Sequence, residues 1–181
     1  MKANKRLPAY LFAAVMGVIV VAHPIRVVAQ KTGEKWSVQV DRVDSGDVNL
    51  ASSFQIAIYE NLVGELNKTK KFSQVFRDGD HKASDSPNLL ILKTTVEKYT
   101  AGSETRRAVT TVTGATKLTV RSQLCGRDGQ VIVDRVVEGN VRFMGSNLRA
   151  THNLAHNVAK GIKQSTLPQP PHEAPAEGGR L

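Results

Sequence analysis

The residues with the most obvious chemical potential lie in Thr151-His152-Asn153-Leu154-Ala155-His156. Two histidines four apart on a helix fall on one side and can offer two imidazoles to one metal ion. The pattern matches half of the zinc-protease motif H-E-x-x-H, in which the glutamate serves as general base. Asn153 stands in that glutamate's place, so the base is missing. At about 100° per residue, His152 borders the apolar stripe of the helix and His156 turns further toward solvent. Arg149, Lys160 and Lys163 share that side and would repel a cation. The pair therefore reads as a solvated polar flank, with a metal site at His152 and His156 as the sharper alternative.

A second candidate is the segment Thr100–Arg107. Gly102 and Ser103 could present backbone amides, and Arg106 and Arg107 could hold an anion or a partner. No G-x-x-x-x-G-K-[ST] sequence accompanies them, so this is no phosphate loop. The plainer reading is a long connection between two strands. Serine catalysis has no G-x-S-x-G to anchor it. Asp41, Asp44 and Asp47 lack the alternate-residue spacing and closing glutamate of a calcium loop, and read as a polar turn. Cys125 is the only cysteine. It excludes an intramolecular disulfide and a cysteine-rich zinc site, and reads as a small buried hydrophobe. Asn67-Lys68-Thr69 is a glycosylation acceptor that matters only in a eukaryotic source. No cofactor is implied and no catalytic set converges.

The elements that must position these residues follow from periodicity. Trp36, Val38 and Val40 alternate with Ser37, Gln39 and Asp41, which predicts a half-buried strand ending in the turn Asp44–Asp47. Residues 50–67 read as a helix, with Phe54, Ile58, Leu62 and Leu66 as its stripe and Asn49 as N-cap. Lys68, Lys70 and Lys71 then sit where cations stabilise exposed helix carbonyls. A short strand follows in Lys71–Arg77, and residues 78–88 read as a loop. Leu89–Tyr99 opens with four apolar residues, the pattern of a strand covered on both faces at its start. Residues 108–124 and 130–143 read as two more strands, joined by a hairpin turn at Gly126–Gly129. Asn147–Lys163 closes the series as a helix, with Leu148, Thr151, Ala155, Val158 and Ile162 on one face. The order β-α-β-β-β-β-α predicts an α+β two-layer sandwich: an antiparallel or mixed sheet of about five strands with two helices packed on it.

The flanks have different chemistry. Residues 1–6 carry Lys2, Lys5 and Arg6 and no acid, and the run Leu7–Ala22 is apolar. This is the layout of a cleaved signal peptide, ending after Ala29 or after Ala22. The run is shorter than the about 20 residues a membrane span needs, so no stable span is expected after cleavage. Residues 167–181 are rich in proline and glycine and read as a disordered tail. One domain, residues 30–166, lies between. The formal charge of +9 includes four cations of the leader. Without them, 21 basic residues face 16 acidic ones, a balance of +5, which is an ordinary solubilising charge. No basic stripe with interleaved aromatics points to nucleic acid.

The stretches PNLLILKTTVEKYTAGSETRR and GATKLTVRSQLCGRDGQVIVDRVVEG resemble a bacterial exported family that is itself a domain of unknown function. The likeness spans residues 36–165. Many members look like lipoproteins, and this chain lacks the cysteine they lipidate. The element order also resembles the amino-terminal domain of the Tol-system periplasmic protein and the curli-secretion lipoprotein, which are assembly modules. The resemblance implies a periplasmic or secreted envelope protein: a non-catalytic interaction or accessory domain, not an enzyme, with an unknown envelope partner. Thr110–Thr113 is the segment to which a partner strand would add. Two alternatives stand beside it: a metal-binding or hydrolytic protein, and a carrier of an apolar ligand held between sheet and helices.

Overall fold

The computed structural model of the chain describes residues 35–103, 105, 115–141 and 146–171. The leader, Arg106, Arg107 and Thr110–Thr113 lie outside the described residues. Eight elements follow one another: β1 (Ser37–Val40), α1 (Ser52–Thr69), β2 (Val75–Arg77), α2 (His81–Asp85), β3 (Leu89–Thr100), β4 (Thr116–Gly126), β5 (Val131–Val141) and α3 (Arg149–Gln164). The sheet order is β2-β1-β3-β4-β5. Strand β1 lies between β2 and β3 and runs parallel to both, whereas the central strand β3 forms an antiparallel meander with β4 and β5. The fold is α+β with a mixed five-stranded sheet, as the periodicity predicts.

One face of the sheet carries α1 and α3. Val38 and Val40, Leu90 and Leu92, Leu118, Val120 and Leu124 point to it and meet Ile58, Leu62, Leu66, Leu154, Val158 and Ile162. All of these are almost wholly buried, and burying such side chains contributes about 1.5–3 kcal/mol each before conformational entropy opposes it. Side chains of both layers interdigitate there as one cluster. The opposite face is covered locally by α2, a helix the sequence reading did not anticipate within residues 78–88. Ala83 packs there on Phe76 and Leu89. That explains the continuous apolar start of β3, because Leu89 and Leu90 point to different, separately covered faces. Asp80 caps α2, accepting the Lys82 amide at 3.0 Å. At the other end one nitrogen of Arg127 donates to the carbonyls of Ala83, Ser84 and Ser86 at 2.7–3.0 Å.

Three further differences have local causes. Ala51, not Asn49, is the N-cap of α1, without a side-chain hydrogen bond, because the chain first turns inward at buried Leu50. Leu148 precedes α3 and is exposed, while Leu154 takes the buried place on that helix. Lys71 caps a helix as expected of its charge, but the helix is α3: its Nζ donates to the carbonyls of Lys163, at 3.0 Å, and of Ser165. Beyond α3, Leu167 packs on the core and the Pro168 carbonyl accepts the Trp36 indole at 2.7 Å.

Candidate functional site

The histidine pair lies on the outer surface of α3, with both residues exposed. His156 faces α1, where its Nδ1 lies 3.1 Å from Glu65 Oε2. Glu65 is buried, and Lys68 Nζ donates to its other oxygen at 2.6 Å. The Lys68 bond, and then the His156 contact, hold the Glu65 carboxyl below the usual glutamate range. Among the described residues no group of three His, Cys, Asp or Glu side chains is placed to hold a metal ion. Lys68, Lys160 and Lys163 line the same shallow groove.

Asn153 has a different task from the one its motif position suggested. Its Nδ2 donates to the Asn140 carbonyl at 2.6 Å, and one turn on Asn157 Nδ2 donates to the Glu138 carbonyl at 2.8 Å. The two amides tie α3 to β5 where Gly139 lets the helix come close. Gly102 is likewise part of a structural knot. Its amide donates to Thr116 Oγ1 at 3.2 Å, that hydroxyl donates to Asn147 Oδ1 at 2.5 Å, and Asn147 Nδ2 returns to the Gly102 carbonyl at 3.3 Å. Ser103 sits beside it, half-buried. Asp44 accepts the Gly46 amide at 2.9 Å, closing a turn whose Gly46 has φ +52°. Cys125 is buried.

A well-formed concavity lies where no motif pointed. It measures about 510 Å³ and is lined by Arg42, Val43, Gln55, Ile56, Tyr59, Glu60, Arg77 and Asp78. Topology creates it. From the end of β1 the chain passes to α1 on the helix face, and from the end of adjacent β2 it passes to α2 on the opposite face. Such a switch point leaves a crevice at the carboxyl ends of the strands. Arg42 and Val43 follow β1; Arg77 ends β2 and Asp78 follows it. Two ion pairs rim the crevice. Arg77 grips both oxygens of Glu60 at 2.5 and 2.7 Å, and Arg42 Nε lies 2.8 Å from Asp78 Oδ2. The Arg77 bonds lower the Glu60 carboxyl and raise the guanidinium in turn. Tyr59 accepts the Asp78 amide at 2.8 Å and lies under the Arg77 guanidinium, 5.8 Å from the ring centre. Ile56 is 62% exposed at its mouth, the most exposed large apolar residue of those described. The sequence signal for this site is an aliphatic residue out of phase with the Phe54–Ile58–Leu62 stripe, together with an Asp-Arg and an Arg-Asp pair ending two strands.

No protein-family model matches the sequence, and no curated protein matches it. Among solved structures, the domain is similar to a protein from Xanthomonas campestris in a family of unknown function (DUF330; 10% identity, TM-score 0.48, covering 74% of this chain and 85% of that one). The fold is that of the PelC subunit from Paraburkholderia phytofirmans. Two crystal forms of the PelC dodecamer match at TM-score 0.52, with 13% and 14% identity, covering 72% and 74% of this chain and 87% and 90% of PelC. Nothing in these likenesses shows catalysis. Among the described residues no helix is long and apolar enough to cross a membrane.

Proposed function

We propose that the chain is exported by its first 29 residues and serves in the bacterial envelope as a non-catalytic interaction or accessory domain. The observation that carries this reading is β5. It ends the strand order among the described residues, runs for eleven residues, and exposes Val131 (46%) and Val136 (60%). Soluble proteins normally blunt a long edge strand, because its unpaired backbone invites pairing. Here the asparagines of α3 occupy the edge carbonyls of Glu138 and Asn140 only. The first half of β5 exposes Val131 and Val136, with Asp134 and Arg135 between them, as a surface to which a partner strand can add. PelC, whose fold this domain shares, assembles as a dodecamer, and that supports a role in assembly. A metal-dependent reading of His152 and His156 loses support from the lysines around them and from the contact between His156 and Glu65.

The test is a pull-down of the tagged mature chain from native envelope extract, with light scattering of the purified chain in parallel. The expected result is a reproducible partner or a defined oligomer. Val136→Lys should abolish it while leaving the melting temperature unchanged. A chain that stays monomeric and recovers no partner would refute the reading.

A further inference from the structure

We propose that the crevice at the carboxyl ends of β1 and β2 binds a small amphiphile: an apolar acyl chain ending in a carboxylate. The proposal does not depend on the assembly reading, because the crevice and β5 lie at opposite ends of the sheet.

Three independent features converge on it. The first is position. In sheets with parallel strands, ligands settle where neighbouring strands send their connections to opposite faces, and β1 and β2 are the pair that does so here. The second is size and lining. About 510 Å³ lies within the range of small-molecule pockets, which pair an apolar lining with a few placed polar groups. Val43, Ile56 and the Tyr59 ring supply the apolar part. Ile56 is largely exposed on the outside of a helix whose buried stripe is already complete, so its aliphatic surface gains nothing from the fold. The third is the balance of donors. Each rim carboxylate is already held by an arginine: Glu60 through both oxygens, Asp78 through one oxygen. A guanidinium carries five N–H donors. Arg42 engages Asp78 through Nε, and its two terminal nitrogens keep the planar fork that receives a carboxylate in a bidentate manner. The open fork of Arg42 is the anchor the rim offers, and it suits a head that accepts hydrogen bonds.

The chain enters over Ile56 and Val43 and the head rests on Arg42. Arg77, fixed on Glu60 and Tyr59, forms the far wall. Affinity should then rise about fourfold for each methylene added until the crevice is filled.

The experiment is calorimetric titration of the mature full chain with octanoate and decanoate below their micellar concentrations. Methyl decanoate and decyltrimethylammonium serve as head-group controls. Saturable one-to-one binding of decanoate, tighter than octanoate and tighter than either control, is the expected result. Arg42→Gln, which alters an exposed side chain, should weaken decanoate about tenfold. Ile56→Ser should flatten the dependence on chain length, and Lys117→Ser, at an exposed position on the distant strand β4, should leave decanoate affinity unchanged. All three variants should keep the parent's melting temperature. Absence of saturable binding would overturn the proposal. So would binding that both Arg42→Gln and Ile56→Ser leave intact, or binding in which the ester or the ammonium equals the carboxylate.

Discussion

Single positions bear unequal loads in this domain. Gly139 bears one of the largest. A Cβ placed there would lie 2.4 Å from the Ala150 carbonyl oxygen and 2.7 Å from the Leu154 amide, both backbone atoms of α3. No side-chain rotation relieves such a clash, so α3 would have to lift off β5. Gly139→Ala should therefore cost about 1–3 kcal/mol, measured by denaturant unfolding at pH 7. A drop of under 0.3 kcal/mol would show that α3 yields freely. Thr94 points the other way. Its hydroxyl is buried among core side chains and has no hydrogen-bond partner. An unpartnered buried hydroxyl costs about 1–3 kcal/mol relative to water. Thr94→Val keeps the shape and removes the polar atom, and should raise stability by about 1 kcal/mol. These effects differ in how far the sequence announces them. Cys125 is buried as its apolar surroundings suggest. The glycine in Val137-Glu138-Gly139 says only that a strand contains a glycine, because the helix that requires it begins only at Arg149. Asn153 misleads outright: its neighbours spell part of a metal motif, and its partner is a carbonyl on another element.

At the scale of elements, α3 and β5 form a clamp, and α1 and α3 meet where His156 approaches Glu65 and Asn61 donates to Thr151. Asn153 and Asn157 cover the carbonyls of Asn140 and Glu138. Replacing both with alanine should cost about 1–2 kcal/mol in total. It should also speed hydrogen exchange in Arg149–Gln164 before the core strands are affected. Uniform loss of protection across the sheet would contradict this local role. Glu65 gives the interface a pH dependence of definite sign. Lys68 first, and His156 second, hold its carboxyl below the ordinary value of about 4.5. The unfolded chain thus takes up this proton more readily than the folded one. The stabilisation is complete above the ordinary value and is lost as pH falls through the folded-state value. Glu65→Gln should destabilise the domain most at neutral pH. The gap to the parent should close as pH falls through the lowered folded-state value; a gap that widens in acid would reverse the assignment. The long elements were legible because their periods are long: α1, α3 and the β4–β5 hairpin all fall where apolar spacing puts them. The short ones were not. His81–Asp85 has five residues and one buried side chain, too few to set a period. It is fixed instead by Asp80 at one end and by Arg127, forty-odd residues away, at the other.

At the scale of the whole molecule the decisive fact is strand order, which no local pattern encodes. The alternation of β1 marks a strand without saying that it lies between β2 and β3, parallel to both. Because the chain visits β1 first and then sets β2 and β3 on either side of it, the crevice opens at one end of the sheet. The meander carries β5 to the other. Arg42 and Asp78 meet only as a result of that order, so the crevice could not be read from residues thirty-odd positions apart. Val136, by contrast, stands out in sequence only as a second valine beside Val137 in an alternating strand. The order also separates the two proposed activities. The β3–β4 pair between them is a long antiparallel ladder with a single irregularity, at Val96/Lys98. It gives neither site a flexible element through which to sense the other. Coupling requires an element with two arrangements that both sites bias, and a packed sheet of this kind supplies none. Val136→Lys should therefore abolish partner capture and leave decanoate affinity within twofold. Arg42→Gln should weaken decanoate and leave partner capture intact. The double variant should show both losses in full, with a coupling energy under about 0.5 kcal/mol. A larger coupling would mean that the sheet transmits between its edges and that the amphiphile regulates assembly.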